Sequence, residues 1–314
     1  SPFSLGAAKL VWTVLSLGAL ALIVMALYRI YSETFVSGGD WGWRDRAIFA
    51  VLTTIVVGNP FVAHVVWTGQ TTLIIAAALI WAWRFIYAGK DLAGGVLLAL
   101  AACKPQFSVL VFFWLLLDRK FLVLASATVA AVLFAAVPFV GTGFSIVGQW
   151  LGSMQGYQGE VSKVLGVSNN SNLRSVLFAF GLSEKPFNLL WDASLAVLVT
   201  FIVWLRQKDA GTGGVAVLAV LIGLALLFVS GRDYDYAALA PLLVAALYLR
   251  GESLVLLTTL TGLMVAMFVP HRLVETLGVP GLLMWRPITL ALIFAIAGWG
   301  AYSSGQRAGN RVGA

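Results

Sequence analysis

The sequence predicts an all-α, polytopic integral membrane protein, and three observations carry that prediction. Of the 314 residues, 61% belong to the hydrophobic set and only 11% are charged, with a mean hydropathy of +0.95. Soluble domains are nearer half apolar and about a quarter charged. Apolar runs follow one another from end to end, so residues 1–314 read as a single transmembrane domain. The positive charge, a net +7, collects mainly in short turns, as it does in the cytoplasmic loops of membrane proteins. Composition therefore excludes a cytosolic enzyme, a disordered protein and a nucleic-acid-binding domain, and the partners expected first are membrane lipids.

A membrane-crossing helix needs about 20 apolar residues, and charge within it is expensive. On that basis about eleven hydrophobic segments follow in order. They lie near 8–30, 44–58, 69–88, 91–103, 105–118, 120–140, 187–205, 213–230, 235–249, 252–270 and 284–303. Placing the turns 29–46, 84–90, 118–120, 206–213 and 250–252 and the tail 304–314 on one side gathers most of the Lys and Arg there. That side is the cytoplasmic one. The chain then starts outside and ends inside the cytoplasmic membrane.

Two features break the pattern. Segments 44–58, 91–103 and 105–118 are short, roughly 20–22 Å as helix against a hydrocarbon core near 30 Å. The loop 141–186 is rich in Gly, Ser, Asn and Gln and lies outside. Irregular backbone at membrane depth persists only where it is buried in protein or lines a polar cavity, which predicts such a cavity on the outer side. The chain opens on Ser1-Pro2-Phe3, already outside and without an initiator Met, so a further span and loop are expected upstream.

Lys104 is the most informative single residue. In Cys103-Lys104-Pro105-Gln106 it separates two half-length segments, and Pro105 interrupts the hydrogen-bond ladder. The ordinary explanations are an interfacial lysine reaching for water or a structural ion pair. The functional one is an ammonium that receives a phosphate or carboxylate at the membrane boundary. Trp67-Thr68-Gly69-Gln70-Thr71-Thr72 forms a second polar island opening the 69–88 span. Helix capping and an anion site at the helix N-terminus explain it equally well. Asn59-Pro60 and His64 before it predict a non-helical approach.

In the loop, Trp150, Gln155, Tyr157 and Gln158 are residue types that stack on and hydrogen-bond to sugars, though they are also ordinary loop residues. Ser171 is a candidate cap for a helix over 172–181. Arg174 then sits in its first turn, opposing the helix dipole and calling for an anionic partner or exposure. Ser230-Gly231-Arg232-Asp233-Tyr234-Asp235-Tyr236 is the densest charged cluster. Arg232 and Asp235 are spaced for an internal ion pair on a helix, leaving Asp233 to bind a hydroxyl-rich ligand or act as a base. No nucleotide-binding Gly fingerprint or P-loop is present. With one cysteine, Cys103, and two distant histidines, His64 and His271, no metal site and no cofactor are expected.

Taken in order, Gly69-Gln70, Lys104-Pro105-Gln106, the SNLRSVL run at 171–177 and the RDYDYAALAPLL run at 232–243 resemble glycosyltransferase family 87. These are polytopic enzymes of the GT-C type, related to polyprenol-phosphate-mannose-dependent mannosyltransferases. The resemblance spans about residues 8–250, and only the joint order of the motifs is specific. It implies an inverting transfer of a sugar, mannose or another hexose or pentose, from a polyprenyl-phosphate carrier to a lipid or glycan acceptor outside the membrane. It implies no nucleotide sugar. Carried over, Lys104 and Arg174 would meet the carrier phosphate, with Arg232, Asp233 and Asp235 lining the same cavity and Gln70 matching the motif without a role. The catalytic aspartate of GT-C enzymes lies in the first outer loop, so it is expected upstream of this chain and is unassigned here. The rival reading is a transporter or flippase for a lipid-linked or anionic solute, which also uses interrupted spans. Internal inverted repeats would mark it, and none is convincing.

Overall fold

The computed structural model describes residues 4–36, 40–149 and 151–153, then residue 198 and the stretches 215–228, 233–239, 254–269, 273–274, 276–277 and 285–296. Among the described residues it is all helical, with no strand. The long helix α1 (Leu5–Phe35) starts at Ser4, whose hydroxyl accepts from the Ala7 N–H. It is followed by α2 (Trp43–Val57), α3 (Pro60–Thr68), α4 (Thr72–Tyr87), α5 (Asp91–Ala101), α6 (Pro105–Leu117) and α7 (Phe121–Thr142). Then come α8 (Val215–Phe228), a 3-10 helix (Asp233–Leu239), α9 (Leu254–Ala266) and α10 (Trp285–Ile296).

Among the described residues three stretches are long and apolar enough to cross a membrane: Leu5–Glu33, Trp43–Thr68 and Phe121–Val140. Thr72–Tyr87, Asp91–Ala101, Pro105–Leu117, Val217–Phe228 and Trp285–Ile296 are apolar but shorter. The expected segment 187–205 lies outside the described residues but for Leu198, as does most of 235–249. One expectation is corrected. Residues 60–68 are not a non-helical approach but helix α3. The Asn59 side chain accepts from the Phe61 N–H at 2.8 Å, and Pro60 fills the first helical position, where its missing N–H costs nothing. Gly69 ends the helix at φ +70, and the Gln70 N–H closes it onto the Val65 carbonyl.

Side-chain bonds sort the helix ends into two groups. At one end, Arg84 holds Glu33 through both guanidinium nitrogens, at 2.9 and 2.7 Å, and Tyr31 donates to Asp45. Tyr87, which receives the Trp114 indole N–H, donates to Asp118 at that same end. Arg29, Arg44, Arg46, Lys90, Arg119 and Lys120 lie on the turns and helix termini of this end. The opposite end holds the start of α1, the α3–α4 turn, the α5–α6 junction and the 3-10 helix.

Helix α4 runs through the middle, with Ile75, Leu79, Ile80 and Trp83 all buried. Gly94 and Gly95 let α5 lie flat between α4 and α7. A Cβ on Gly94 would stand 2.5 Å from Ile86, and one on Gly95 2.6 Å from Ser126, whose hydroxyl donates to the Leu92 carbonyl. On α7, Val129, Val132, Leu133 and Val137 are exposed, an apolar face suited to lipid rather than water.

Candidate functional site

The site begins with two helix breaks. The residue before a proline is pushed out of the α region, and Lys104 sits at φ −122, ψ 85 ahead of Pro105. The backbone between α5 and α6 therefore turns, and the lysine side chain is free to run sideways into the bundle. The Gly69–Thr71 turn does the same for α4, delivering Thr72 as its first residue. Thr71, the residue before the helix, makes no side-chain cap bond.

The third contributor is the 3-10 helix. Lys104 Nζ donates to Asp235 Oδ1 at 2.6 Å and to Thr72 Oγ1 at 2.6 Å, while the Thr72 hydroxyl donates to the same Asp235 oxygen at 3.0 Å. Asp235 is 1% exposed and Lys104 9%. The ammonium also faces the Tyr234 ring, 4.7 Å away, and the Phe107 ring at 5.7 Å. An ion pair this deeply buried is weak evidence for stability, because desolvation offsets most of the attraction.

The expected sites fare unevenly. Lys104 is buried and paired rather than reaching for water, which is the structural ion pair among its ordinary explanations. Asp235 finds its partner 131 residues away in Lys104, a contact that the expectation of a local pair with Arg232 did not include. Gln70 is half-buried and contributes its backbone N–H to closing α3. Of Asp233 only the backbone, at the start of the 3-10 helix, is described. Arg174 and Arg232 lie outside the described residues, as do His271 and all of the loop 141–186 beyond 153. Among the described residues no cluster of His, Cys, Asp and Glu fits a metal ion.

Some participants carried no such role in the sequence reading. Thr72 bridges the pair, whereas its island was weighed for helix capping and for an anion site. His64, exposed on α3, sets its ring 5.8 Å from that of Tyr234. Arg286, 5% exposed, donates to the Met267 and Val269 carbonyls at 3.2 and 3.0 Å. Its guanidinium lies 4.8 Å from the Phe61 ring, which itself packs on Tyr236, the neighbour of Asp235. The signal for Arg286 was available: a cation inside an otherwise apolar segment at 284–303.

Set beside known proteins, residues 1–270 match the model of Glycosyltransferase family 87. No curated protein matches the chain, and no solved structure does.

Proposed function

Since the chain belongs to glycosyltransferase family 87, we propose that it transfers a sugar from a polyprenyl-phosphate carrier to a lipid or glycan acceptor on the outer side of the cytoplasmic membrane. The observation supporting this most directly is the meeting of three separated sequence islands, at Thr72, Lys104 and Asp235, around one buried ammonium. In the reaction an acceptor hydroxyl oxygen attacks the anomeric carbon and passes its proton to a general base not assigned in this chain, the bond from that carbon to the phosphate oxygen breaks, and polyprenyl phosphate departs with the electron pair. The leaving phosphate gains negative charge, so a fixed cation beside it lowers the barrier.

Lys104 suits that role. An ammonium has three N–H donors, and among the described residues two are used, by Asp235 and Thr72. The third is left for the phosphate. Asp235 is a positioning residue here: its carboxylate keeps the lysine aimed, and that engagement removes it from contention as the acceptor base. Gln70 shapes the turn that presents Thr72, and Arg174, Arg232 and Asp233 are proposed to line the same cavity. Helices α5 and α6 have 11 and 13 residues, about 16 and 20 Å, so a junction between them lies short of a 30 Å core. The Arg- and Lys-rich end is read as cytoplasmic, with the start of the chain outside and its C-terminus inside.

The test is product formation from a radiolabelled polyprenyl-phosphate hexose by the full-length protein in reconstituted membranes. Lys104→Met is expected to lower turnover at saturating donor by roughly 10²–10³-fold. Lys104→Arg keeps the charge with altered shape and is expected to rescue in part. Unchanged turnover in Lys104→Met removes this residue from the mechanism.

A further inference from the structure

A groove of about 780 Å³, within the size range of ligand pockets, lies between α1, α4 and α5. Small residues open it: Gly18 and Ala19 on α1, with Ala77 and Ala78 on α4. Leu22, Met25, Trp81, Phe85, Leu97 and Leu100 wall it. The one side-chain N–H on these walls, the Trp81 indole, donates to the Leu22 carbonyl at 3.1 Å. The body of the groove therefore has nothing to offer but apolar contact, which suits a hydrocarbon chain.

Each wall ends in a cation, and always at the same end. Residues three and four apart share a helix face, so the α1 stripe through Gly18, Leu22 and Met25 continues to Arg29. On α4 the stripe through Ile74, Ala78 and Trp81 continues to Arg84 and Phe85. On α5 the stripe runs from Leu97 back to Lys90, which precedes the first residue of that helix. The contacts agree with the spacing. The Arg29 and Arg84 guanidinium carbons stand 5.4 and 6.0 Å from the Trp81 ring, and the Lys90 ammonium 5.6 Å from the Phe85 ring. Those two rings are 5.8 Å apart, so the cations surround one aromatic patch. Of the carboxylates beside them, Glu33 is held by Arg84, and Asp91 sits in the first turn of α5, where the helix dipole favours it. Arg29 and Lys90 are exposed and enter neither ion pair found among the described residues.

We infer that this groove binds an anionic phospholipid of the cytoplasmic leaflet, its acyl chain along Gly18, Leu22 and Ala78 and its phosphate held at the Trp81–Phe85 patch by Arg29 and Lys90. From Gly18 to Arg29 the stripe is roughly 16 Å long at 1.5 Å per residue, about half of a 30 Å hydrocarbon core and so one leaflet deep. The cytoplasmic leaflet is also where anionic lipids meet basic residues. Such a lipid is no substrate: it fills the seam between α1 and two helices, of which α4 begins at Thr72 and α5 leads to Lys104. The site rests on the cytoplasmic reading of the Arg- and Lys-rich end and is independent of the transfer reaction. The polyprenyl carrier fits it poorly, because the carrier phosphate belongs at the Lys104 end and would leave Arg29 and Lys90 unmatched.

The experiment exposes the full-length protein in nanodiscs to phosphatidylglycerol, phosphatidylcholine and polyprenyl phosphate, each with a diazirine in its hydrocarbon chain. Phosphatidylglycerol is expected to label peptides covering 18–25 and 77–85 in preference to phosphatidylcholine. Arg29→Gln and Lys90→Gln, both at exposed positions, should each cut that preference about fivefold, the share typical of one basic residue near an anionic head group. The double variant should abolish it. Gly18→Phe should block labelling by filling the groove, and it does so without a clash, since a Cβ there meets nothing within 4 Å. Equal labelling by the two phospholipids in the wild type overturns the inference, because the groove is then merely lipid-facing. So does a preference that survives in the double variant. Labelling by polyprenyl phosphate alone assigns the groove to the carrier chain, and labelling by none of the probes assigns it to a protein partner; either result overturns the inference. Reaction of Lys90→Cys with an impermeant maleimide from outside would overturn the leaflet assignment.

Discussion

Removing both members of the buried pair separates its structural part from its chemical part. Lys104→Met alone takes the ammonium away from the Asp235 carboxylate, which is 1% exposed. Breaking a buried pair from one side costs about 3–5 kcal/mol, because the remaining charge loses the opposite charge that offset most of its desolvation. Asp235→Val alone strands the ammonium, with a similar cost. The double variant buries two apolar side chains in their place. Such replacements are often neutral or better for stability, less about 1 kcal/mol for the Thr72 hydroxyl, which loses both partners. Chemical denaturation in detergent should therefore show two strongly destabilised single variants and a double variant near the wild type. Turnover should follow a different order, with the double variant as inactive as Lys104→Met because neither has a cation for the leaving phosphate. Activity that returns together with stability in the double variant would refute the reasoning and reduce the pair to a tie between α4, α6 and the 3-10 helix.

Other expectations follow from the packing and the topology. Gly95→Leu should prevent α5 from seating against α7, where even a Cβ would stand 2.6 Å from Ser126; the check is folded yield by size-exclusion chromatography. Arg286→Met should destabilise by about 2–4 kcal/mol in denaturant melts, since two charge-assisted bonds to the Met267 and Val269 carbonyls are lost. By contrast Arg84→Gln, at a pair whose Glu33 is 59% exposed, should change stability by at most about 1 kcal/mol. Cys103 is exposed and is the chain's single cysteine. A membrane-impermeant maleimide should label it from outside, whereas Lys90→Cys in a Cys103→Ser background should label only from inside.

The helical, membrane-embedded character was legible because it is written into composition and run length. The site was legible in pieces. Pro105 marked the break that frees Lys104, and the RDYDY run marked a charged segment, so each end of the ion pair stood out locally. The pairing itself did not, because residues separated by 131 positions carry no periodic signal for one another. The polar residues around Gly69 had a local explanation, capping, that concealed the reach of Thr72 to Asp235. The error at 60–68 has a similar source: Asn59-Pro60 read as a break, when the same two residues cap and start α3. Arg286 was hidden inside an apolar run, where a single cation barely alters the average.

The most direct test of the central claim compares sugar donors in sealed proteoliposomes containing the full-length protein and a hydroxylated lipid acceptor. A radiolabelled polyprenyl-phosphate hexose should give glycosylated lipid product in the wild type and almost none in Lys104→Met. A nucleotide-linked hexose without polyprenyl phosphate should give none in either. Product from the nucleotide sugar, or equal product from the two proteins with the lipid donor, would contradict the assignment of Lys104 to a carrier phosphate.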